Sequence, residues 1–484
     1  MFPPWCLHWF SGETPLNSSR QPISPISDAP DLCRMDVAAL TAAFASGALS
    51  PVEVTEAALV RAEDVQPRFN AFTFIDHAGA LEAARAAEAR WRAGAALSAV
   101  DGVPTTLKDI VHVEGWAVRY GSQATDAAPM LRDAPSVAGL RAAGAVFIGQ
   151  TTTPEFGWKA VTDSPAFGIT RNPWNPERTP GGSSGGAAVA SATGAGVLHL
   201  GTDGGGSIRV PAAFTGTFGL KPTFGRVPAD PPSAFGTVAH IGPMARSPAD
   251  ARAMLSAMGG RNLRDWSQPW GAMPSLDPRP FDWKGRKVGL WMVPPAGSVD
   301  LAIKRVVSDA VRQIEAAGAI VEPILLPGEG LHEMFHAHWM TGAANRLAQI
   351  SQEARRDLDS GFIEAATEGN RFSLRGYISA QQARARFGAA MDQLLADYDL
   401  LLSPATACLP FAAGREVPEG SGMARWTEWA GFSYPINLSQ QPACTLFCGL
   451  SEGLPVGLQI VGSRGADGFV LDAAEAAGRL LGGA

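Results

Sequence analysis

The chain has 484 residues, of which 46% are hydrophobic and 18% are charged, a composition typical of globular proteins with a sizeable core. Its formal net charge of −7 and the lack of any lysine- and arginine-rich segment exclude the electrostatic footprint of a nucleic-acid-binding protein. No stretch reaches the roughly 18 apolar residues needed to span a membrane. The five scattered cysteines favour a reducing compartment, so we expect a cytoplasmic location.

Residues 1–34 are predicted to be a disordered N-terminal extension. Their apolar opening, MFPPWCLHWF, lacks the basic region of a signal peptide, and residues 11–34 are rich in serine and proline without periodicity. The first helical pattern begins at Met35. Because no linker or internal repeat follows, residues 35–484 are expected to form one domain.

Helix and strand signals alternate along this domain. Ser50 is followed by Pro51 and by Glu53 at the capping-box position, which predicts a helix from there to about Val65. Later segments continue the alternation: a helix over 76–92, a helix and a strand over 136–142 and 145–149, a strand, helix and strand over 288–293, 301–316 and 320–325, and a helix and a strand over 381–396 and 400–402. Apolar strands that alternate with helices predict an α/β fold with a central β-sheet flanked by helices on both faces.

Two glycine-rich turns carry serines 24 residues apart. Ser183 lies in PGGSSGG (180–186), and Ser207 directly follows three glycines. If Ser207 attacks a carbonyl carbon, the N–H groups of its turn lie where the oxyanion forms. Serine needs a base, and none of the eight histidines has a triad-like context near these turns. Lys108 follows an apolar stretch, where burial would lower its pKa, so it is the candidate base.

In order and spacing, these motifs resemble the amidase signature family, which includes acylamidases, fatty acid amide hydrolase and the A-type component of tRNA-dependent amidotransferases. The resemblance spans residues 36–476 and is carried by GVPTTLKD (102–109), the glycine- and serine-rich segment 180–223, GPMAR (242–246) and GLPVGLQ (453–459). It implies the amidase signature fold with a mixed sheet. It also implies a Ser–cis-Ser–Lys triad, in which Ser207 is the nucleophile, Ser183 the proton relay and Lys108 the base, with a cis peptide before Ser183.

The same resemblance assigns roles to residues around the triad. The oxyanion hole would consist of the backbone N–H groups of Gly204, Gly205, Gly206 and Ser207, and the supporting residues would be Ser184, Asp203 and Arg209. Many relatives carry a bulkier residue at the position of Gly204, so we expect a looser turn here. Candidates for the mouth of the substrate pocket are Trp426, Trp429, Phe432 and Cys408, although aromatic residues serve core packing equally often.

The predicted activity is that of an amidohydrolase. It would cleave a C–N amide-type bond of a small acyl amide, anilide, carbamate (urethane) or amide oligomer through an acyl-enzyme on Ser207, without a metal or an organic cofactor. Esters are expected side substrates, and a homodimer is compatible with the sequence. The alternative within the family is the A-type component of a glutamine-dependent tRNA amidotransferase, which works only with partner chains.

Two patterns point to other enzymes. HEMFH (332–336) matches the helix of zinc proteases, so a zinc hydrolase that uses His332 and His336 is a remote alternative. GGSSG (181–185) matches the nucleophile elbow of α/β-hydrolases, but this motif needs a preceding strand, and the prolines of NPWNP (172–176) argue against one. A single short match weighs less than several ordered ones, which favours the amidohydrolase.

Overall fold

A computed structural model describes residues 25–482. Its helices are α1 Asp31–Arg34, α2 Val37–Ser46, α3 Pro51–Phe69, α4 His77–Arg92, α5 Pro135–Ala142, α6 Gly185–Thr193, α7 Arg209–Thr215, α8 Pro248–Met258, α9 Leu301–Ala316, α10 Leu331–Ala348, α11 Ser360–Gly369, α12 Leu374–Asp397, α13 Tyr434–Ser439 and α14 Asp467–Leu481. Its strands are β1 Phe72–Ile75, β2 Pro104–Lys108, β3 Val146–Thr151, β4 Asp163–Ser164, β5 Gly168–Ile169, β6 Leu198–Asp203, β7 Phe218–Lys221, β8 His240–Ala245, β9 Lys287–Trp291, β10 Ile320–Ile324, β11 Leu400–Pro404, β12 Ala443–Ser451 and β13 Leu454–Val461.

A mixed sheet of 11 strands forms the centre of the described chain, in the order β1-β3-β2-β6-β8-β7-β12-β13-β11-β9-β10. Neighbours are parallel within β3-β2-β6 and within β11-β9-β10, and they are antiparallel from β6 through β13 to β11. Every residue of β2, β3 and β11 is buried, which requires cover on both faces. The predicted α/β class, with a central mixed sheet between layers of helices, is confirmed.

Local signals in the sequence explain where the elements begin. At the start of α3, the Ser50 hydroxyl accepts the N–H of Val52 at 3.0 Å, and Glu53 accepts the N–H of Ser50 at 2.8 Å. This helix continues four residues beyond the predicted end at Val65, because its apolar stripe still contacts the core through Phe69. The predicted strand–helix–strand unit is present as β9, α9 and β10, with its two strands parallel and adjacent.

Part of the predicted N-terminal extension is folded. Residues Pro25–Asp28 form a 3₁₀-helix that α1 follows, and the Asp28 carboxylate pairs with Arg61 of α3 at 2.6 Å. Cys33 of α1 is buried. The predicted disorder therefore does not extend over residues 25–34, because these contacts anchor the segment. Residues 1–24 of the predicted extension lie outside the described residues. No helix within residues 25–482 is long and apolar enough to cross a membrane.

The sheet brings the predicted lysine and both glycine-rich turns to one edge. Strands β2 and β6 are parallel neighbours, with Leu107 opposite Leu200, so their carboxyl ends at Lys108 and Asp203 lie side by side. The turn that carries Ser207 follows β6 directly, and Ser183 immediately precedes the N-cap of α6. The carboxyl edge of a parallel pair is where α/β proteins gather their functional groups.

Candidate active site

Lys108 ends β2 with its amine enclosed by three hydroxyl groups. Its Nζ lies 2.7 Å from Ser183 Oγ, 3.0 Å from Ser184 Oγ and 2.9 Å from Thr202 Oγ1. The side chain is fully buried, and this desolvation holds the pKa of Lys108 well below its usual range, although the nearby Asp203 carboxylate acts in the opposite direction. The site therefore favours a neutral amine, which has a lone pair to accept a proton.

Ser183 lies in a backbone turn without space for side chains. The Gly182–Ser183 peptide is cis, as the family resemblance implies. A Cβ added to Gly182 would lie 2.5 Å from the backbone of Val161, so only glycine fits there. Thr162 fixes the turn from outside, because its hydroxyl donates to Gly181 O at 2.8 Å and accepts the N–H of Gly185 at 3.1 Å.

Ser207 lies in the turn after β6 and borders the same cavity as Ser183. The N–H of Ser184 donates to the carbonyl oxygen of Ser207 at 3.1 Å, which ties the two turns together. Within residues 25–482, no hydrogen bond joins the Ser207 hydroxyl to another protein group, and Ser207 lines the cavity, so the hydroxyl is open to a ligand there. The structure thus joins Lys108 directly to Ser183 and places Ser207 beside them at the cavity wall.

The predicted oxyanion donors divide into two groups. The N–H of Gly206 donates to Asp203 Oδ1 at 2.8 Å and is therefore occupied, which corrects its assignment to the oxyanion hole. In the described chain, the N–H groups of Gly204, Gly205 and Ser207 donate to no other protein group. Three of the four N–H groups thus remain free, and the fourth binds Asp203.

A buried ion pair supports this turn. Asp203 and Arg209 are fully buried, and Arg209 Nη2 lies 2.9 Å from Asp203 Oδ1. Arg209 also donates to Gln459 Oε1 at 2.7 Å and to Asn437 Oδ1 at 2.6 Å. Burial alone would raise the pKa of Asp203, but the charge and hydrogen bonds of Arg209 outweigh it and hold the pKa below its usual range. Asp203 therefore stays ionised and keeps accepting the N–H of Gly206.

The cavity at the two serines has a volume of about 690 Å³. Side chains that sequence reasoning did not single out form much of its wall, among them His112, Tyr120, Phe156, Phe235, Trp339 and Arg346. Trp339 and Arg346 belong to α10, the helix that contains the HEMFH pattern. The pattern lies in the first turns of α10, whereas Trp339 and Arg346, which line the cavity, lie further along the same helix.

The four predicted pocket residues lie in the core and not on the cavity wall. Trp426 packs edge-on against Phe335 behind the Ser207 turn, where a Cβ added to Gly205 would meet it at 2.7 Å. The remaining three are also buried: Trp429 stacks on Phe214, Phe432 packs against Trp291, and Cys408 belongs to the main hydrophobic cluster. All four therefore pack within the core, and none of them lines the cavity.

The turn at Gly204 is tightly packed, which contradicts the expectation of a looser turn. A Cβ added to Gly204 would lie 2.8 Å from Trp339 Cζ3. Trp339 is itself fixed, because its ring stacks on Phe235 with centroids 3.8 Å apart and its Nε1–H donates to Trp158 O at 2.8 Å. The indole therefore occupies the space that a larger side chain at this position would need.

The histidines of the zinc-protease pattern have protein partners. His332 Nε2 and His336 Nε2 lie 3.0 Å and 2.8 Å from the same Thr427 hydroxyl, and His336 Nδ1 is 3.4 Å from Glu368. Within residues 25–482, no group of three histidine, cysteine or acidic side chains is arranged to hold a metal ion. The two histidines of HEMFH therefore share a hydrogen-bond partner, the hydroxyl of Thr427.

Comparison with known proteins identifies relatives of the same kind along nearly the whole chain. The amidase family model matches residues 53–471. An indoleacetamide hydrolase of Bradyrhizobium diazoefficiens is 35% identical, with 90% of this chain and 84% of the relative covered. The A-type component of a glutamyl-tRNA(Gln) amidotransferase of Chloroflexus aurantiacus is 32% identical, with 89% and 93% covered. The crystal structure of a bacterial aryl acylamidase of the amidase signature family superposes with a TM-score of 0.85 at 29% identity, covering 92% of this chain and 96% of that chain.

Proposed function

Since the chain belongs to the amidase signature family and is an amidase that acts on C–N bonds, we propose that it cleaves small acyl amides through an acyl-enzyme on Ser207. The observation that carries this proposal is the 2.7 Å contact between Lys108 Nζ and Ser183 Oγ in a fully buried site. A desolvated amine at hydrogen-bond distance from a hydroxyl is the arrangement that general base catalysis requires.

The proposed reaction begins with two proton transfers. Neutral Lys108 accepts the proton of Ser183 while Ser183 accepts that of Ser207, and the Ser207 oxygen attacks the amide carbon. The link between the two serine hydroxyls is part of the proposal, and it is supported by their position on one cavity wall. When the tetrahedral intermediate collapses, the same relay returns a proton to the leaving amine. Water then attacks the acyl-enzyme by the same route and restores Ser207.

The negative charge that develops on the substrate oxygen is proposed to bind the free N–H groups of Gly204, Gly205 and Ser207. Gly206 acts indirectly, since its N–H is fixed by Asp203 and thereby sets the shape of the turn. Fixed donors at this point stabilise the transition state by about 3–4 kcal/mol each in comparable sites. Because the donors are backbone groups in a packed turn, little reorganisation is needed during the reaction.

The proposed substrates are small acyl amides and anilides. Support comes from the relatives, which include an indoleacetamide hydrolase, an aryl acylamidase and an acylamidase of Rhodococcus erythropolis. It also comes from the cavity, whose wall includes Phe156, Phe235 and Trp339. Aromatic walls bind planar apolar groups well. Carbamates and esters are proposed as side substrates, because they present the same carbonyl carbon to Ser207.

A matched pair of variants tests the packing of the oxyanion turn. Gly204→Ile is expected to lower kcat/KM by about 10²- to 10³-fold, because its side chain must displace Trp339 or the turn that holds the N–H donors. Adding Trp339→Ala should recover at least about tenfold of this loss, since it removes the opposing ring. Steady-state kinetics of both single variants and the double variant measure the coupling. Losses that simply add would contradict the proposed contact.

Activity of the isolated chain separates the proposed amidase from the alternative, an amidotransferase component, which is kept because a protein of that type is 32% identical. We expect the purified chain alone to hydrolyse a simple anilide in buffer that contains EDTA. An amidotransferase component would instead hydrolyse glutamine, and only with its partner chains present. Loss of the anilide activity in EDTA and its return with added zinc would favour the His332–His336 alternative.

A further inference from the structure

Arg346 brings a positive charge to the wall of the Ser207 cavity. It lies on α10 with its guanidinium over two aromatic rings, 5.2 Å from the ring centre of Tyr120 and 4.7 Å from that of Phe156. In the described chain the guanidinium makes one hydrogen bond, from Nη1 to Gln349 Oε1 at 3.3 Å, and no carboxylate pairs with it. Most of its five N–H donors therefore remain available in a position that the two rings fix.

The other charged side chains on the cavity wall are already satisfied. Arg264 pairs with Asp230 at 3.3 Å, and Asp230 also pairs with Arg132 at 3.3 Å. Asp265 accepts the N–H of Ala229 at 2.9 Å and also accepts hydrogen bonds from Ser267. Of the cavity-lining residues in the described chain, Arg346 is thus the cation without an acidic partner.

Arg346 is connected closely to the reaction centre. The guanidinium of Arg346 lies over the ring of Phe156, and the next residue, Gly157, adjoins the proposed relay serine. A Cβ added to Gly157 would lie 3.3 Å from Ser183 Oγ. Burial lowers the pKa of Arg346, which means that its environment leaves the charge incompletely solvated. A bound anion would relieve this cost, and a guanidinium matches a carboxylate through two parallel hydrogen bonds.

We propose that Arg346 determines substrate specificity by binding a carboxylate that the substrate carries away from its scissile amide. This proposal rests on the proposed hydrolysis at Ser207, because one substrate must reach both groups within a single cavity. It assigns the preferred substrates to carboxylate-bearing amides, a narrower class than small acyl amides in general. Tyr120 and Phe156 orient the guanidinium and take no part in bond cleavage.

Two matched series of amides test the proposal. One consists of straight-chain primary amides that end in a carboxylate, and the other consists of amides of equal chain length that end in a methyl group. Arg346→Gln should lower kcat/KM by about 10- to 100-fold for the carboxylate series, the usual effect of losing a charged hydrogen bond, and by less than about threefold for the methyl series. Arg264→Gln removes a positive charge that already has a partner, so it should affect both series alike.

Equal losses in both series for Arg346→Gln, or no loss in either, would overturn the proposal. Calorimetric titration of the carboxylate amides into Ser207→Ala gives a second readout that needs no turnover. Saturable binding to Ser207→Ala that disappears in the Ser207→Ala/Arg346→Gln double variant supports the carboxylate site. Binding that persists in the double variant overturns the proposal, and so does a lack of binding to either variant. Continued turnover by Ser207→Ala would reject the proposed nucleophile instead, and it would leave the comparison of the two series valid.

Discussion

Replacing Ser207 with alanine is expected to lower kcat by at least about 10⁴-fold on any amide that the chain hydrolyses. The reason is that acyl transfer would lose its nucleophile, while the free N–H groups and the cavity would remain. KM should change little, because the hydroxyl contributes little to ground-state binding. Steady-state kinetics on an anilide, with circular dichroism to verify folding, measure the effect.

Ser191→Ala is the matched control for this substitution. Ser191 is a fully buried serine on α6 that does not line the cavity, so the control removes a buried hydroxyl and leaves the proposed relay intact. It should retain activity within about threefold of the unaltered chain, in line with the small effect of substitutions away from functional features. Activity of Ser207→Ala comparable with that of this control would rule out an acyl-enzyme on Ser207.

Replacing Lys108 with methionine is expected to lower kcat/KM by about 10²- to 10⁴-fold, the usual contribution of a general base. Methionine keeps most of the length and apolar surface of the side chain and removes the amine. Lys108→Arg should not restore activity, since a guanidinium stays protonated and cannot accept a proton from Ser183. Kinetics of both variants, with thermal denaturation as a folding control, test the role of the amine.

The pH dependence of the unaltered chain tests the same claim. Burial lowers the pKa of Lys108, and only the neutral amine can act as base, so kcat/KM should fall as pH decreases through that lowered pKa. Between the lowered pKa and its ordinary value, the unfolded chain binds more protons than the native one. Stability should therefore rise with pH across that window. An acid limb that remains unchanged in the residual activity of Lys108→Met would assign the limb to another group.

The three residues of the proposed triad could be selected from the sequence because short segments carry them. Ser183 and Ser207 lie in glycine-rich turns that the sequence shows directly, and Lys108 ends a strand that is buried throughout. The parallel pairing of β2 with β6 then brings these segments together. The α/β class could be predicted for a similar reason, since apolar strands alternate with helices along most of the chain.

The cavity wall could not be predicted, because it depends on contacts between distant segments. Trp426 and Trp429 are of a residue type that is common in substrate pockets, yet neighbouring parts of the chain bury them completely. Trp339 and Arg346 lie at ordinary positions of a helix, and only the packing of α10 beside the Ser207 turn brings them to the cavity. Gly206 shows the same limit at shorter range, because its N–H binds the Asp203 side chain and is not left free like its neighbours.

The most direct test of the proposed mechanism is to identify the serine that a fluorophosphonate probe modifies. Intact-mass measurement should show a single adduct, and peptide mapping should locate it on Ser207. The labelling rate should fall sharply in Lys108→Met, because the same relay activates the hydroxyl toward phosphorus. A label on Ser183, or equally fast labelling without the Lys108 amine, would contradict the assigned order of nucleophile, relay and base.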